Sequence, residues 1–146
     1  AWLVENKLRL GICFLSTYLP HLNRGGRISG PAAAIGSVLK ICPVMDVNSE
    51  GKLIVRRKAL GKKKAVKDLF ATMCEQAEGG MNYSGKCYIC HSMMDGDAGM
   101  LKGMVEEAFP SLCGSVEINP IGTVIGTHTG PGTVALFYFS RDKRAL

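Results

Sequence analysis

The sequence predicts an α/β layered domain: a mixed β-sheet flanked by helices. Three observations predict it. Stretches with apolar residues at helical spacing alternate with short runs of β-formers, one tight hairpin interrupts that alternation, and no linker-like composition divides the 146 residues. A chain of this length buries roughly 70% of the surface that its unfolded form exposes. Its apolar fraction of 47% and charged fraction of 21% are ordinary for a globular domain and exclude disorder. The most apolar stretch, residues 31–45, is broken by Lys40, so no membrane span is expected.

The elements follow in order. Residues 10–15 are apolar and short, as in a strand. Ser16 is placed to cap a helix over 17–24, with Pro20 late in its first turn and Gly25-Gly26 at its end. Ser29 or Gly30 then opens a second helix with Pro31 near its first position. Its body, 32–39, carries very small side chains: Ala32, Ala33, Ala34, Gly36 and Ser37. Residues 43–47 and 52–55 predict a hairpin around Asn48-Ser49-Glu50-Gly51. Val66, Leu69, Phe70, Met73 and Ala77 recur at helical spacing and predict an amphipathic helix over 63–78, stopped by Gly79-Gly80. Residues 86–92 predict a buried strand. Asp97 is placed to cap a helix bearing Leu101, Met104, Val105 and Ala108, which stops at Pro110. Val116 and Ile118 mark a short strand, and residues 134–139 a central one.

Charge and cysteine usage narrow the function classes. The net charge is +6, much of it from Arg56, Arg57, Lys58, Lys62, Lys63 and Lys64. A nucleic-acid interface would interleave aromatic side chains with such charges for base stacking. None stands there, so a solvated turn and helix start is expected, with no nucleic-acid partner. The six cysteines suit reduced thiols better than a disulfide framework, because the chain has enough residues for a core and Ala1–Leu10 lacks a secretory signal pattern. Cys87-Tyr88-Ile89-Cys90-His91 matches the C-x-x-C-H pattern of haem attachment. On a strand, residues three apart point to opposite faces, so Cys87 and Cys90 are expected neither to reach one haem nor to pair with each other. No second pair at finger spacing completes a zinc site.

Glycine is the one large compositional deviation, with 18 residues clustered around 25–30 and 122–132. The first cluster, Asn23-Arg24-Gly25-Gly26-Arg27-Ile28-Ser29-Gly30, sets Arg27 between a helix end and the next helix start. There backbone N–H groups and an always-charged guanidinium make a candidate anion site. The second, Ile121 to Thr133, packs His128 among hydroxyls and glycines. His128 is suited to hydrogen-bond an anionic group, with Thr127 and Thr129 placed to orient it or the ligand. The cluster is read as a loop. It has no G-K-[ST] ending and no G-x-S-x-G, so neither a P-loop nor a nucleophile elbow is present. His21 and His91 are expected to be packing or surface residues.

Leu22-Asn23-Arg24-Gly25-Gly26-Arg27-Ile28-Ser29, taken with Ile125-Gly126-Thr127-His128-Thr129-Gly130-Pro131-Gly132-Thr133-Val134-Ala135-Leu136-Phe137, closely resembles the DegV family of fatty-acid-binding proteins. Ile35 to Pro43 and Gly61-Lys62-Lys63-Lys64-Ala65 fall between them in the expected order, so the resemblance covers essentially the whole of residues 1–146. Family proteins are about twice as long. The resemblance therefore implies the C-terminal, lipid-binding lobe of a two-lobed cytoplasmic protein, with the N-terminal lobe missing from this chain. It implies a carrier and not an enzyme, with no cofactor and no stable membrane insertion. A long-chain fatty acid such as palmitate would lie with its tail in this lobe and its carboxylate at the junction. The acid would be presented to a fatty-acid kinase that makes the acyl phosphate.

Residue by residue, Arg27 and His128 resemble the family's polar network around the carboxylate. Ser29, Thr127 and Thr129 fall in the same two motifs. Ala33, Gly36 and Ser37 on the small-faced helix would let an alkyl chain pass close to the backbone, with Val38, Leu39, Ile41 and Met45 in the same slot. The direct Ser and Thr ligands of the family come from the other lobe. Leu60 stands before Gly61 where many relatives carry an Arg that resembles a kinase-docking residue, and Thr123 replaces a common Pro. The rival reading from another class is an enzyme of phosphoryl or acyl transfer that handles an anionic substrate with Arg27 and His128. Neither motif carries the metal carboxylates or paired nucleophile that it requires.

Overall fold

A computed structural model describes residues 1–28 and 41–142. After a short helix α1 (Trp2–Asn6) come β1 (Leu10–Ser16), α2 (Leu19–Arg24), the hairpin strands β2 (Ile41–Val47) and β3 (Leu53–Leu60), and α3 (Lys62–Gln76). Then follow β4 (Tyr88–Ser92), α4 (Asp95–Ala108), β5 (Glu117–Pro120), α5 (Thr123–Thr129) and β6 (Thr133–Phe139). The strands form one six-stranded sheet in the order β3-β2-β1-β6-β4-β5. β4 and β5, joined through α4, are parallel, and the other neighbours are antiparallel. This is the mixed α/β sheet that the sequence predicts.

The two faces of the sheet are covered differently. Alternation along β1 and β6 sends Cys13, Leu15, Val134, Leu136 and Tyr138 to one face. There they form the main core with Val66, Leu69 and Met73 of α3 and Leu101 and Val105 of α4. Ile12, Phe14, Ala135 and Phe137 take the other face. Among the described residues a smaller cluster gathers on it: Phe14, Met45 and Ala135 with Leu19 and Leu22 of the short helix α2. Because both faces of the middle strands are apolar, β1 and β6 read as nearly continuous apolar runs.

Several elements depart from the sequence expectations for identifiable reasons. α2 begins at Leu19 and not at Thr17, because Thr17 N and Oγ1 both donate to the Gly132 carbonyl, at 2.9 and 3.2 Å, and hold that residue out of the helix. Ser16 Oγ accepts from Tyr18 N at 3.4 Å instead of capping the helix. Pro20 lies at the very start of α2, where its missing N–H leaves no helical bond unmade.

β3 continues to Leu60, so Arg56, Arg57 and Lys58 lie on an edge strand and not on a turn. Arg56 pairs with the buried Asp46 at 3.3 Å, and Arg57 with Glu75 at 2.6 Å. Basic side chains also discourage this edge from pairing with another sheet. Asp97 does not cap α4; it sits in the first turn, 2.9 Å from Lys62. The predicted helix over 32–39, with Ala33, Gly36 and Ser37, lies outside the described residues, as does Ser29. Cys87 belongs to the main core while Cys90, in register with Ala135, faces the opposite side. All six cysteines are free thiols.

The two faces of β6 predict opposite mutational costs. Leu136→Ala should lose ~2–5 kcal/mol in urea unfolding, as large-to-small changes in a filled core do. Ala135→Leu, on the opposite face, should cost less than the ~1–3 kcal/mol typical of overpacking. Equal losses would mean that both faces are filled alike.

Candidate functional site: an apolar cavity with an Arg–His mouth

The face of the sheet opposite the main core holds a cavity of about 410 Å³. That lies within the ~300–1,000 Å³ of small-molecule sites. Its walls are Ile12 and Phe14 from β1, Ala135 and Phe137 from β6, Cys90 from β4, and Ile121 and Ile125 from the segment that leads through α5. Val47, Gly51 and Leu53 of the β2–β3 hairpin close the region near Ile12 and Phe137. Arg27, His128, Thr129 and Thr133 mark the opposite end. From Thr133 to Phe137 is four residues along a strand, a run of about 14 Å.

Local sequence explains how Arg27 reaches the mouth. Gly26, at φ +69°, takes the left-handed conformation that ends α2. The N–H of Gly26 donates to Asn23 O and that of Arg27 to Leu22 O, both at 2.9 Å. This pairing is the Schellman motif, in which the residue after a left-handed glycine turns back over the helix end. Arg27 is thereby aimed across the end of α2. Its Nη1 donates to Gly25 O at 2.7 Å and its Nη2 to His128 Nε2 at 3.2 Å. The two residues singled out 101 positions apart in sequence thus meet directly.

The second glycine cluster is not the loop expected of it. Thr123–Thr129 is helical, and His128 sits in its last turn. Thr127 Oγ1 donates to Thr123 O at 2.7 Å, and Thr129 Oγ1 to Ile125 O at 3.1 Å. Both hydroxyls are therefore engaged with their own helix. Thr127 is exposed, whereas Thr129 is buried and lines the cavity. His21, expected only to pack or face solvent, places Nε2 2.7 Å from Thr127 O. The glycines after the helix fit close neighbours. Gly130, at φ +68°, lies under the His21 ring, and Gly132, at φ +83°, lies where a Cβ would overlap Thr17 Oγ1.

The arrangement suits holding an anion more than transforming one. Arg27 is exposed and keeps three of its five N–H donors beyond those given to Gly25 and His128. Burial raises the Cys90 thiol above its ordinary value, so at neutral pH it is a small apolar group in the cavity wall. Burial also pushes Cys42 up to about 11 and, with the nearby Glu106 carboxylate, Cys87 up to about 12. Neither is an activated nucleophile. Among the described residues no group of three His, Cys, Asp or Glu side chains is placed to hold a metal ion, and no helix is long and apolar enough to cross a membrane.

Arg27 and His128, singled out in the sequence, both line the cavity, whereas most of its walls were not singled out. Ile12, Phe14, Ala135 and Phe137 were legible only as strand residues. The available signal was that their apolar runs have no polar face, so both sides of the sheet need a cover.

The chain is thus an α/β unit with an apolar pocket that has an arginine and a histidine at one end. Comparison with known proteins makes the class specific. The family model described as "Uncharacterised protein, DegV family" matches residues 1–141. This chain belongs to the DegV family. A DegV domain-containing protein of Clostridium perfringens is 41% identical over 143 residues, covering 98% of this chain and 48% of the relative. A fatty acid binding DegV family protein from Streptococcus agalactiae superposes with a TM-score of 0.78 at 30% identity, over 97% of this chain and 48% of that one. DegV of Bacillus subtilis, described as a fatty acid binding protein, gives 0.73 at 26% identity, over 96% and 48%. The chain spans about half the length of the curated relatives it matches.

The packing of the glycine turn yields a ranked prediction. Gly132→Ala combines a left-handed backbone with overlap on Thr17 and should destabilise by ~2–3 kcal/mol. Gly114→Ala, at φ +73° with open space around it, should cost only the left-handed strain of about 1 kcal/mol. Urea titration of both variants reads the difference, and equal costs would show that the turn does not depend on Thr17.

Proposed function

We propose that this chain holds the hydrocarbon tail of one long-chain fatty acid, such as palmitate, in the cavity beside β1 and β6. The carboxylate lies at Arg27 and His128. The observation that carries this reading is the 410 Å³ apolar cavity ending at the Arg27–His128 pair. The related proteins described as fatty acid binding support it.

The energetics divide the labour. Palmitate has about 14 methylenes, and at ~0.8 kcal/mol each their burial supplies roughly 11 kcal/mol before the costs of ordering and association. The tail therefore dominates affinity. Arg27 and His128 orient the head and hold it at the mouth.

The lobe acts as a carrier in this account. In the whole protein the carboxylate meets a second lobe that corresponds to the other half of the relatives. The cytoplasmic setting and the hand-over to a fatty-acid kinase follow from the family resemblance alone. Leu60 is 76% exposed at the end of β3, and the family resemblance implies that many relatives carry there an arginine resembling a kinase-docking residue.

Native mass spectrometry of the protein purified in full provides the test. A co-purifying fatty acid is expected, and a nucleotide or metal in its place would favour the enzyme reading. Ala135→Phe should abolish retention by filling the cavity. Arg27→Ala and His128→Ala should retain lipid but release it faster, because they remove head contacts of about 1.5–3 kcal/mol against a much larger tail term. Full lipid content in Ala135→Phe contradicts the assigned tail site.

A further inference from the structure

We propose that His21 is the positioning residue of the cavity mouth: it fastens the last turn of α5 to α2 and so presents His128 to Arg27. The inference rests on the reading of that mouth as a carboxylate site. A carbonyl oxygen only accepts, so the 2.7 Å approach of His21 Nε2 to Thr127 O fixes the His21 proton on Nε2. Arg27 only donates, so its 3.2 Å contact makes His128 Nε2 the acceptor and leaves the His128 proton on Nδ1. The partners thus require a proton on Nε2 of His21 and none on Nε2 of His128. The two contacts pin α5 to the α2 end at adjacent positions, Thr127 and His128.

α5 needs such pinning. It is seven residues long, and its composition of threonine, valine, isoleucine and glycine is poor for a helix. Val124 is 74% exposed and Ile125, although it borders the cavity, is 58% exposed, so packing there does little to fix the helix's rotation. Each residue turns a helix by about 100°. Freeing Thr127 therefore lets His128 turn away from the mouth. The surroundings favour the His21 link: a Cβ on Gly130 would stand 2.7 Å from His21 Cγ, so glycine alone leaves room for the ring.

The test is long-range proton–nitrogen NMR of the histidine rings in the full protein, free and with palmitate carrying a ¹³C carboxyl. Wild type should show His21 protonated on Nε2 and His128 on Nδ1. His21→Leu should shift the His128 ring signals and the palmitate carboxyl signal. It should speed palmitate release about tenfold, the equivalent of one net hydrogen bond, while saturable uptake persists. His21→Gln keeps a donor at similar reach and should restore release to within about twofold of wild type. A purely packing role would give no such rescue and would overturn the proposal. So would a wild-type His21 protonated on Nδ1 alone, a result that needs no variant to fold. A folded His21→Leu with unmoved His128 and carboxyl signals overturns it too. If wild type takes up no palmitate, the carboxylate reading falls, and the ring signals of the free protein decide the positioning claim separately.

Discussion

Everything here depends on one asymmetry: the middle strands of the sheet are apolar on both faces, but among the described residues long helices pack on only one. On the covered side α3 and α4 supply Leu69, Met73, Leu101 and Val105, and the packing closes. On the other side the described cover comes from α2 and α5, of six and seven residues. Ile12, Phe14, Ala135 and Phe137 therefore wall a space. Water in an apolar space finds few hydrogen-bond partners, whereas a hydrocarbon loses nothing there. The described side chains thus enclose an apolar space suited to an apolar occupant.

The glycine-rich segments serve this design through backbone geometry and not by cradling phosphate. In the first, Gly26 reverses the chain at the end of α2 and throws Arg27 across the mouth. In the second, Gly130 and Gly132 allow the chain leaving α5 to pass against His21 and Thr17 on its way into β6. Both motifs sit at the same end of the sheet, because β1 and β6 are antiparallel neighbours: the segment after β1 and the segment before β6 must meet there. Topology brings together an arginine and a histidine that sequence distance separates.

Much of this was legible in the residues. The order of the strands, the hairpin around Asn48–Gly51, the amphipathic helix after Gly61 and the central placement of the last strand follow from periodicity and turn chemistry. So does the opposition of Cys87 and Cys90. Arg27 and His128 were legible as motif residues of the DegV family, although only the three-dimensional arrangement shows them in contact. Three features were hidden for physical reasons. α5 escaped notice because threonine, glycine and β-branched residues disfavour a helix that tertiary contacts nevertheless hold. The true start of α2 depended on Thr17 bonding to Gly132, a partner 115 residues away. The cavity walls were invisible because an apolar strand residue looks the same whether it faces a helix or a ligand.

The most direct test of the central claim is to locate the tail. Isotope-filtered nuclear Overhauser contacts from uniformly ¹³C-labelled palmitate, bound to the full protein, report which side chains touch its methylenes. The account predicts contacts to Ile12, Phe14, Ala135 and Phe137, and none to Leu15, Ile89 or Leu136 on the packed face. Methylene contacts confined to the packed face, or absent from the β1 and β6 side chains altogether, would contradict it.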